Sequence, residues 1–194
     1  LVSVLLLALT SPVLLLAALA VRFDSRGPAF FRQTRIGING APFTIFKFRT
    51  MRVEPAAGHV MLGGRADPRV TRVGAFLRES KIDELPQLLN LLAGDMTLIG
   101  PRAETPNFVE HFTPRQREVL KVKPGLTGPG QIDYTTTQAS QLEGASDPNR
   151  YYIEKILPGK LEKDRDYIRP RAFAGALVIL GRTLVGVLTL GRKG

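Results

Sequence analysis

The sequence predicts an α/β fold, mostly helical with a small sheet, held to a membrane by one N-terminal helix. Three observations carry this. Leu1 to Val21 contains no charged residue, about the length a helix needs to cross the hydrocarbon core of a bilayer. PFTIFKFRTM, from Pro42 to Met51, interleaves Phe43, Ile45, Phe46 and Phe48 with Thr44, Lys47 and Arg49 at the period of a strand. Two later stretches read as helices: Val70 to Glu79, where Val73, Phe76 and Leu77 share a face, and Asp83 to Ala93, which ends at Gly94.

The apolar opening admits a spanning helix, a re-entrant helix or a signal peptide, the last because Ala18-Leu19-Ala20 resembles a small-x-small cleavage site. Pro12 removes a backbone hydrogen bond and crowds the preceding turn, so a break is expected at Ser11-Pro12, with Ser11 able to bond the freed carbonyl. Arg22, Arg26, Arg32 and Arg35 follow, which marks that end as cytoplasmic. The chain starts inside this run with Leu rather than Met, as expected of a fragment.

Gly27-Pro28 ends the membrane segment, and Ala29 to Phe31 reads as a short strand. Arg35 to Gly40 is a turn, signalled by Asn39-Gly40. Glu54 to Asp67 is rich in glycine and alanine and reads as a loop. Met96 to Ile99 is a short apolar strand or turn. Thr105 to Val122 is a charged helix capped or broken near Pro114. KPGLTGPGQ, from Lys123 to Gln131, reads as a loop, Asp147 to Tyr167 as partly helical, and Arg171 to Leu190 as a core or interfacial helix. Residues 1–22 thus form an anchor and 23–194 one cytoplasmic domain.

Composition narrows the function. Lys plus Arg is 27 against 17 for Asp plus Glu, a net charge of +10 that favours an anionic partner. The absence of cysteine rules out disulfides and thiolate metal sites, and two histidines, His59 and His111, are too scattered for a His-based zinc site.

The candidate site is IDELPQLLNLLAGDMTLIGPR, from Ile82 to Arg102. With Asp83 as N-cap, Glu84 and Pro86 fall in the first helical turn, where proline is tolerated and carboxylates meet the positive end of the helix dipole. That pair is either a cap or a working dyad, one carboxylate a nucleophile and the other a ligand for a hard cation such as Mg²⁺. A carboxylate that attacks phosphate needs cations beside it, and Arg69, Arg72, Arg78, Lys81 and Arg102 lie in the same stretch. Gly100-Pro101-Arg102 is a plain turn, or one that aims a guanidinium at phosphate. Lys47 and Arg49 share a strand face, solvated or turned to an anion. Gly125 to Gly130, with Thr127, is a plain loop or one that presents backbone N–H groups to an anion.

Taken together, RIGINGAPFTIFKFRTM, DPRVTRVGAFLRESKIDELPQLLNLLAGDMTLIGPR and KPGLTGPGQ resemble the bacterial sugar transferases, the monotopic polyprenyl-phosphate phosphoglycosyl transferases, over nearly the whole chain. The resemblance implies that Asp83 attacks the β-phosphate of a UDP-sugar, UMP leaves, and polyprenyl phosphate takes the sugar-1-phosphate from the carboxylate, which initiates polysaccharide or glycoconjugate assembly. It implies Glu84 as a Mg²⁺ ligand and phosphate contacts from Lys47, Arg78 and Arg102. It also implies a re-entrant break at Ser11 and Pro12, with the catalytic domain on the cytoplasmic face of the bacterial inner membrane. A homo-oligomer is compatible with it. The family's arginine-bearing segment after the Gly-rich loop is missing here: after Gln131 no arginine occurs until Arg150. The other readings are a scaffold without catalysis and a membrane-tethered nucleic-acid-binding module. No HTH, RRM or finger pattern supports the latter, so no nucleic-acid partner is expected.

Overall fold

A computed structural model describes residues 2–53, 67–132, 141–142, 145–168 and 181. The expected loop after Glu54, the stretch that follows Ile132 and the apolar segment from Arg171 fall wholly or mostly outside these residues. The chain forms two units, Leu1–Gln33 with Thr44–Gly94 and Val187–Gly194, and Thr34–Phe43 with Asp95–Gly186.

In the first unit, helix α1 covers Val2–Asp24 and runs through Pro12 without interruption. Pro12 cannot donate to the Ala8 carbonyl, and Ser11 Oγ donates to that carbonyl at 2.8 Å instead, while Thr10 Oγ1 donates to Leu6 O at 2.7 Å. The stretch Ser3–Asp24 is long and apolar enough to cross a membrane by length and composition. The C-terminal half of α1 is a packing surface as well. Ala17 and Val21 join Phe48 and Leu77 in a buried cluster, flanked by Leu14, Ala18, Val73 and Ile82.

Strand β1 (Phe30–Ile36) is longer than expected and forms a two-stranded sheet with β2 (Pro42–Phe48). They are joined by a tight turn in which Asn39 and Gly40 both take positive φ, 55° and 79°, the conformation an Asn-Gly pair tolerates best. Phe30 stacks on Phe48 with ring centroids 5.3 Å apart.

Helix α2 (Arg72–Glu79) is capped by Thr71, whose hydroxyl accepts from Gly74 N at 2.9 Å. Gly74 is there for contact, because a Cβ would collide with the Thr50 backbone. The second helix departs from expectation. Ile82–Gln87 is a 3₁₀ segment, and only Leu88–Ala93 (α3) is α-helical. Pro86 removes one i→i−4 hydrogen bond and disfavours the α conformation at Leu85, so the first turns tighten. The residue before the segment is Lys81, in the left-handed conformation at φ 60°, so Asp83 lies inside the first turn and is not the cap.

In the second unit, β3 (Thr97–Ile99) pairs in parallel with β4 (Gly125–Thr127), with Thr97 opposite Gly125 and Ile99 opposite Thr127. Part of KPGLTGPGQ is therefore strand, and Pro129–Ile132 forms a helical turn, α5. Here glycine serves contact: a Cβ on Gly125 would meet the Gly100 backbone. The charged segment after Thr105 splits into α4 (Pro106–Val109) and a 3₁₀ turn, Gln116–Lys121, on either side of Pro114. The polar segment after Asp147 is helical: α6 (Pro148–Tyr151), a π-helical turn (Tyr152–Ile156) and α7 (Leu157–Tyr167). Phe108, Phe112, Val119, Tyr152, Ile156 and Leu161 form much of this unit's buried apolar set.

Candidate active site

Asp83 and Glu84 sit in the first turn of the 3₁₀ segment. Lys47 from β2 reaches them: its Nζ donates to Glu84 Oε1 at 2.6 Å, with both side chains mostly buried. Asp83 Oδ1 is buried and, among the described residues, has no hydrogen-bond partner. Burial and the neighbouring Glu84 charge push the Asp83 carboxyl up to about 6, while Lys47, Lys81 and Arg78 pull it down. An ionisable oxygen left unpaired in a partly dry site is costly unless something arrives to meet it.

Arg78 lies at the C-terminal end of α2, and its Nε donates to Thr50 Oγ1 at 2.8 Å. Burial lowers its pKa, opposed by the Asp83 and Asp67 charges. Behind it, Arg69 grips Asp67 through Nε and Nη2 at 2.9 and 2.6 Å, which holds Asp67 below the usual carboxylate range. The first unit thus brings together Lys47, Arg78, Lys81, Asp83 and Glu84.

Arg49 does not join them. Its guanidinium is buried and donates to Pro28 O at 2.7 Å, Ser25 Oγ at 2.6 Å, and the carbonyls of Arg26 and Ser25 at 2.9 Å each. Where a phosphate ligand was expected, Arg49 clamps the chain that leaves α1, whose last carbonyls lack helical partners. Strand alternation put Lys47 and Arg49 on one face, but Arg49 lies just past β2.

The other expected phosphate ligands lie in the second unit. Arg102 N donates to Asp164 Oδ2 at 3.3 Å, and its Nη1 donates to Gln131 Oε1 at 3.0 Å. Gly125 N–H, expected to be open to an anion, donates to Pro101 O at 2.9 Å, and Thr127 O accepts from Gly100 N at 2.9 Å. The Gly-rich segment is knitted into the sheet, and its backbone at these positions is already used.

Sequence reasoning missed a buried ionic group around Arg102. Tyr152 OH donates to Glu104 Oε1 at 2.7 Å, and Lys160 Nζ donates to Tyr152 OH at 2.8 Å. Asp164 Oδ1 accepts from Gly130 N at 2.9 Å. Burial pushes Asp164 up to about 6 and Lys160 down to about 8. Lys160 and Asp164 sit in a helix crowded with charge, so nothing in the sequence marked them as buried. Asn90 was also missed, although a lone amide in the apolar run LLNLLA was a visible signal.

Among the described residues no three carboxylate, histidine or cysteine side chains gather as a metal site. The Asp83-Glu84 pair still fits Mg²⁺, a hard cation that takes one or two carboxylates and completes its shell with water and substrate phosphate. The unpaired Asp83 Oδ1 is the structural observation in favour.

The family model for bacterial sugar transferases matches residues 1–190. A UDP-glucose:undecaprenyl-phosphate glucose-1-phosphate transferase from Caulobacter vibrioides is 42% identical over 190 residues, 96% of this chain and 67% of the relative. The Escherichia coli protein with the same name is 41% identical over 174 residues, 86% of this chain and 34% of its own. An undecaprenyl-phosphate glucose phosphotransferase from Komagataeibacter xylinus is 44% identical over 142 residues, 68% of this chain and 26% of the relative. The chain therefore spans about a third or less of the last two.

Proposed function

Because the chain belongs to the bacterial sugar transferase family and is by that membership a phosphoglycosyl transferase, we propose that it moves a sugar-1-phosphate from a UDP-sugar to polyprenyl phosphate, releasing UMP. The relatives' names support this reaction and make UDP-glucose the donor to try first. The observation that carries the mechanism is the unpaired carboxylate oxygen of Asp83 beside Glu84, Lys47, Lys81 and Arg78.

Asp83 attacks the β-phosphorus of the donor. A bond forms from the carboxylate oxygen to that phosphorus, the phosphoanhydride oxygen departs with UMP, and the sugar-1-phosphate stays on Asp83. An oxygen of polyprenyl phosphate then attacks the same phosphorus, frees the carboxylate and yields polyprenyl-diphosphate-sugar. Dividing the transfer in two lets each displacement proceed in line and predicts ping-pong kinetics. Lys47, Arg78 and Lys81 offset the repulsion between the carboxylate and the incoming phosphate. Lys47 also fixes Glu84 through its 2.6 Å ion pair. Glu84, with Asp83, would hold Mg²⁺, which when bound neutralises charge on the phosphates. Arg102 is a phosphate contact in this reading.

The helix α1 supports membrane association, and the reading places it as a re-entrant anchor (1–22) with the rest on the cytoplasmic face of the inner membrane. The test is UMP release by protein in bilayer discs given UDP-glucose or other UDP-sugars, undecaprenyl phosphate and Mg²⁺. Release beyond one equivalent of enzyme that needs all three, and that is lost in Asp83→Asn, supports the reading. Release unchanged in Asp83→Asn removes the nucleophile assignment.

A further inference from the structure

We infer that Asn90 is a positioning residue that sets Lys47 on the carboxylate dyad, an inference that rests on the reading of Lys47, Asp83 and Glu84 above. Asn90 is 1% exposed, on α3, in the same run of chain as the dyad. Its Nδ2 donates to Thr44 O at 2.7 Å, and its Oδ1 accepts from Phe46 N at 3.2 Å. Both partners belong to β2, which carries Lys47.

The backbone pattern makes this a strand contact. Arg49 N donates to Ala29 O at 2.9 Å, so by alternation the odd-numbered groups of this stretch face β1, and those of Thr44 and Phe46 face the other edge. The Asn90 amide meets that edge as a neighbouring strand would, one donor and one acceptor against the complementary pair. An aliphatic residue would fill the volume but leave both backbone groups unmet. These two hydrogen bonds tie β2 to the dyad-bearing segment, the second of them one residue before Lys47, whose Nζ then reaches Glu84 Oε1 at 2.6 Å. A bare packing contact would let β2 slide; two hydrogen bonds of opposite sense fix its position along the strand.

The experiment pairs exchange with a double-mutant cycle, using the whole chain in bilayer discs. Asn90→Leu should speed hydrogen exchange at the Phe46 amide, and Asn90→Asp, which keeps the acceptor, should leave that amide closer to wild type. In UMP release with UDP-glucose, undecaprenyl phosphate and Mg²⁺, Asn90→Leu should lower kcat by about tenfold to a hundredfold, the scale of a misplaced catalytic group, with KM for the donor little changed. In a Lys47→Met background the same change should cost little more, because the group it positions is gone. If Asn90→Leu does not fold, Asn90→Asp is carried through the same cycle. Fully multiplicative losses in the two backgrounds, or unaltered Phe46 exchange in Asn90→Leu, overturn the inference. Turnover retained in Asp83→Asn would instead overturn the function reading, and the exchange result would still report on the Asn90 contact.

Discussion

Asp83 is a half-buried carboxylate whose buried Oδ1 has no hydrogen-bond partner among the described residues, beside another carboxylate and within the field of three cations. Its folded pKa of about 6 lies above the unfolded value of about 3.9. The folded protein therefore holds that proton more tightly than the unfolded chain. The contribution of this group to stability is full at low pH and declines as pH rises from about 4 to 6. Asp83→Asn is accordingly expected to stabilise the Mg²⁺-free protein at pH 7 by up to about 3 kcal/mol, while abolishing turnover. That advantage should vanish below pH 4 in melting measurements, and one that persists unchanged there would contradict the assigned pKa. Lys47 acts in the opposite sense, since its ammonium offsets two carboxylates. Lys47→Met should lower kcat by about 10- to 1,000-fold, the range for removing an electrostatic stabiliser, as read from steady-state UMP release. The acidic pair and its cations were legible in the sequence because charge and spacing are local properties. The pairing of Lys47 with Glu84 spans residues far apart in the chain, and periodicity does not report which strand meets which helix.

Two devices act at the scale of elements, one at the turn before the dyad and one where the chain leaves α1. The first is Lys81, which holds a left-handed conformation between α2 and the 3₁₀ turn, at a cost of roughly 1 kcal/mol for a residue with a Cβ. Lys81→Gly relieves that cost but adds entropy to the unfolded chain, so its melting temperature should stay near wild type. Lys81→Val, branched at Cβ, should melt distinctly lower. The second device is Arg49. Arg49→Leu would strip hydrogen bonds from a row of carbonyls after α1 and should destabilise the fold by at least about 3 kcal/mol. Lysine should not restore it, because one ammonium cannot reproduce the guanidinium fork. Its surviving activity should show an unchanged KM for the UDP-sugar, whereas a raised KM would return Arg49 to the phosphate site. These elements show where sequence reading failed. Asp83 has the residue type of an N-cap, but Pro86 tightens the turn and the boundary lies at Lys81. The glycines of Lys123 to Gln131 suggested a loop because they usually free the backbone, and here they let β4 approach β3. By contrast α2 was legible to within two residues, Val70 to Glu79 expected against Arg72–Glu79, because its apolar residues share a face.

At the scale of the whole molecule, α1 joins two roles: an exposed apolar surface, and an inner face with Ala17 and Val21 packed under Phe48 and Leu77. A chain with 10 surplus positive charges suits phosphorylated substrates at an anionic lipid surface. The absence of cysteine makes the topology directly testable. Single cysteines at Val4 and Arg26 should both react with an impermeant maleimide from the cytoplasmic side, as a re-entrant helix requires. Labelling of Val4→Cys from the opposite side alone would establish a spanning helix. The central claim is the covalent step at Asp83, and its most direct measurement omits the acceptor. Protein in bilayer discs is given UDP-glucose and Mg²⁺ without polyprenyl phosphate, quenched and digested, and the peptide containing Asp83 is weighed. The account predicts UMP release equal to the enzyme present and a hexose-phosphate mass on that peptide, both absent in Asp83→Asn. If the protein turns over in the complete reaction, yet no UMP and no adduct form until polyprenyl phosphate is added, the transfer is direct and the account of Asp83 is wrong.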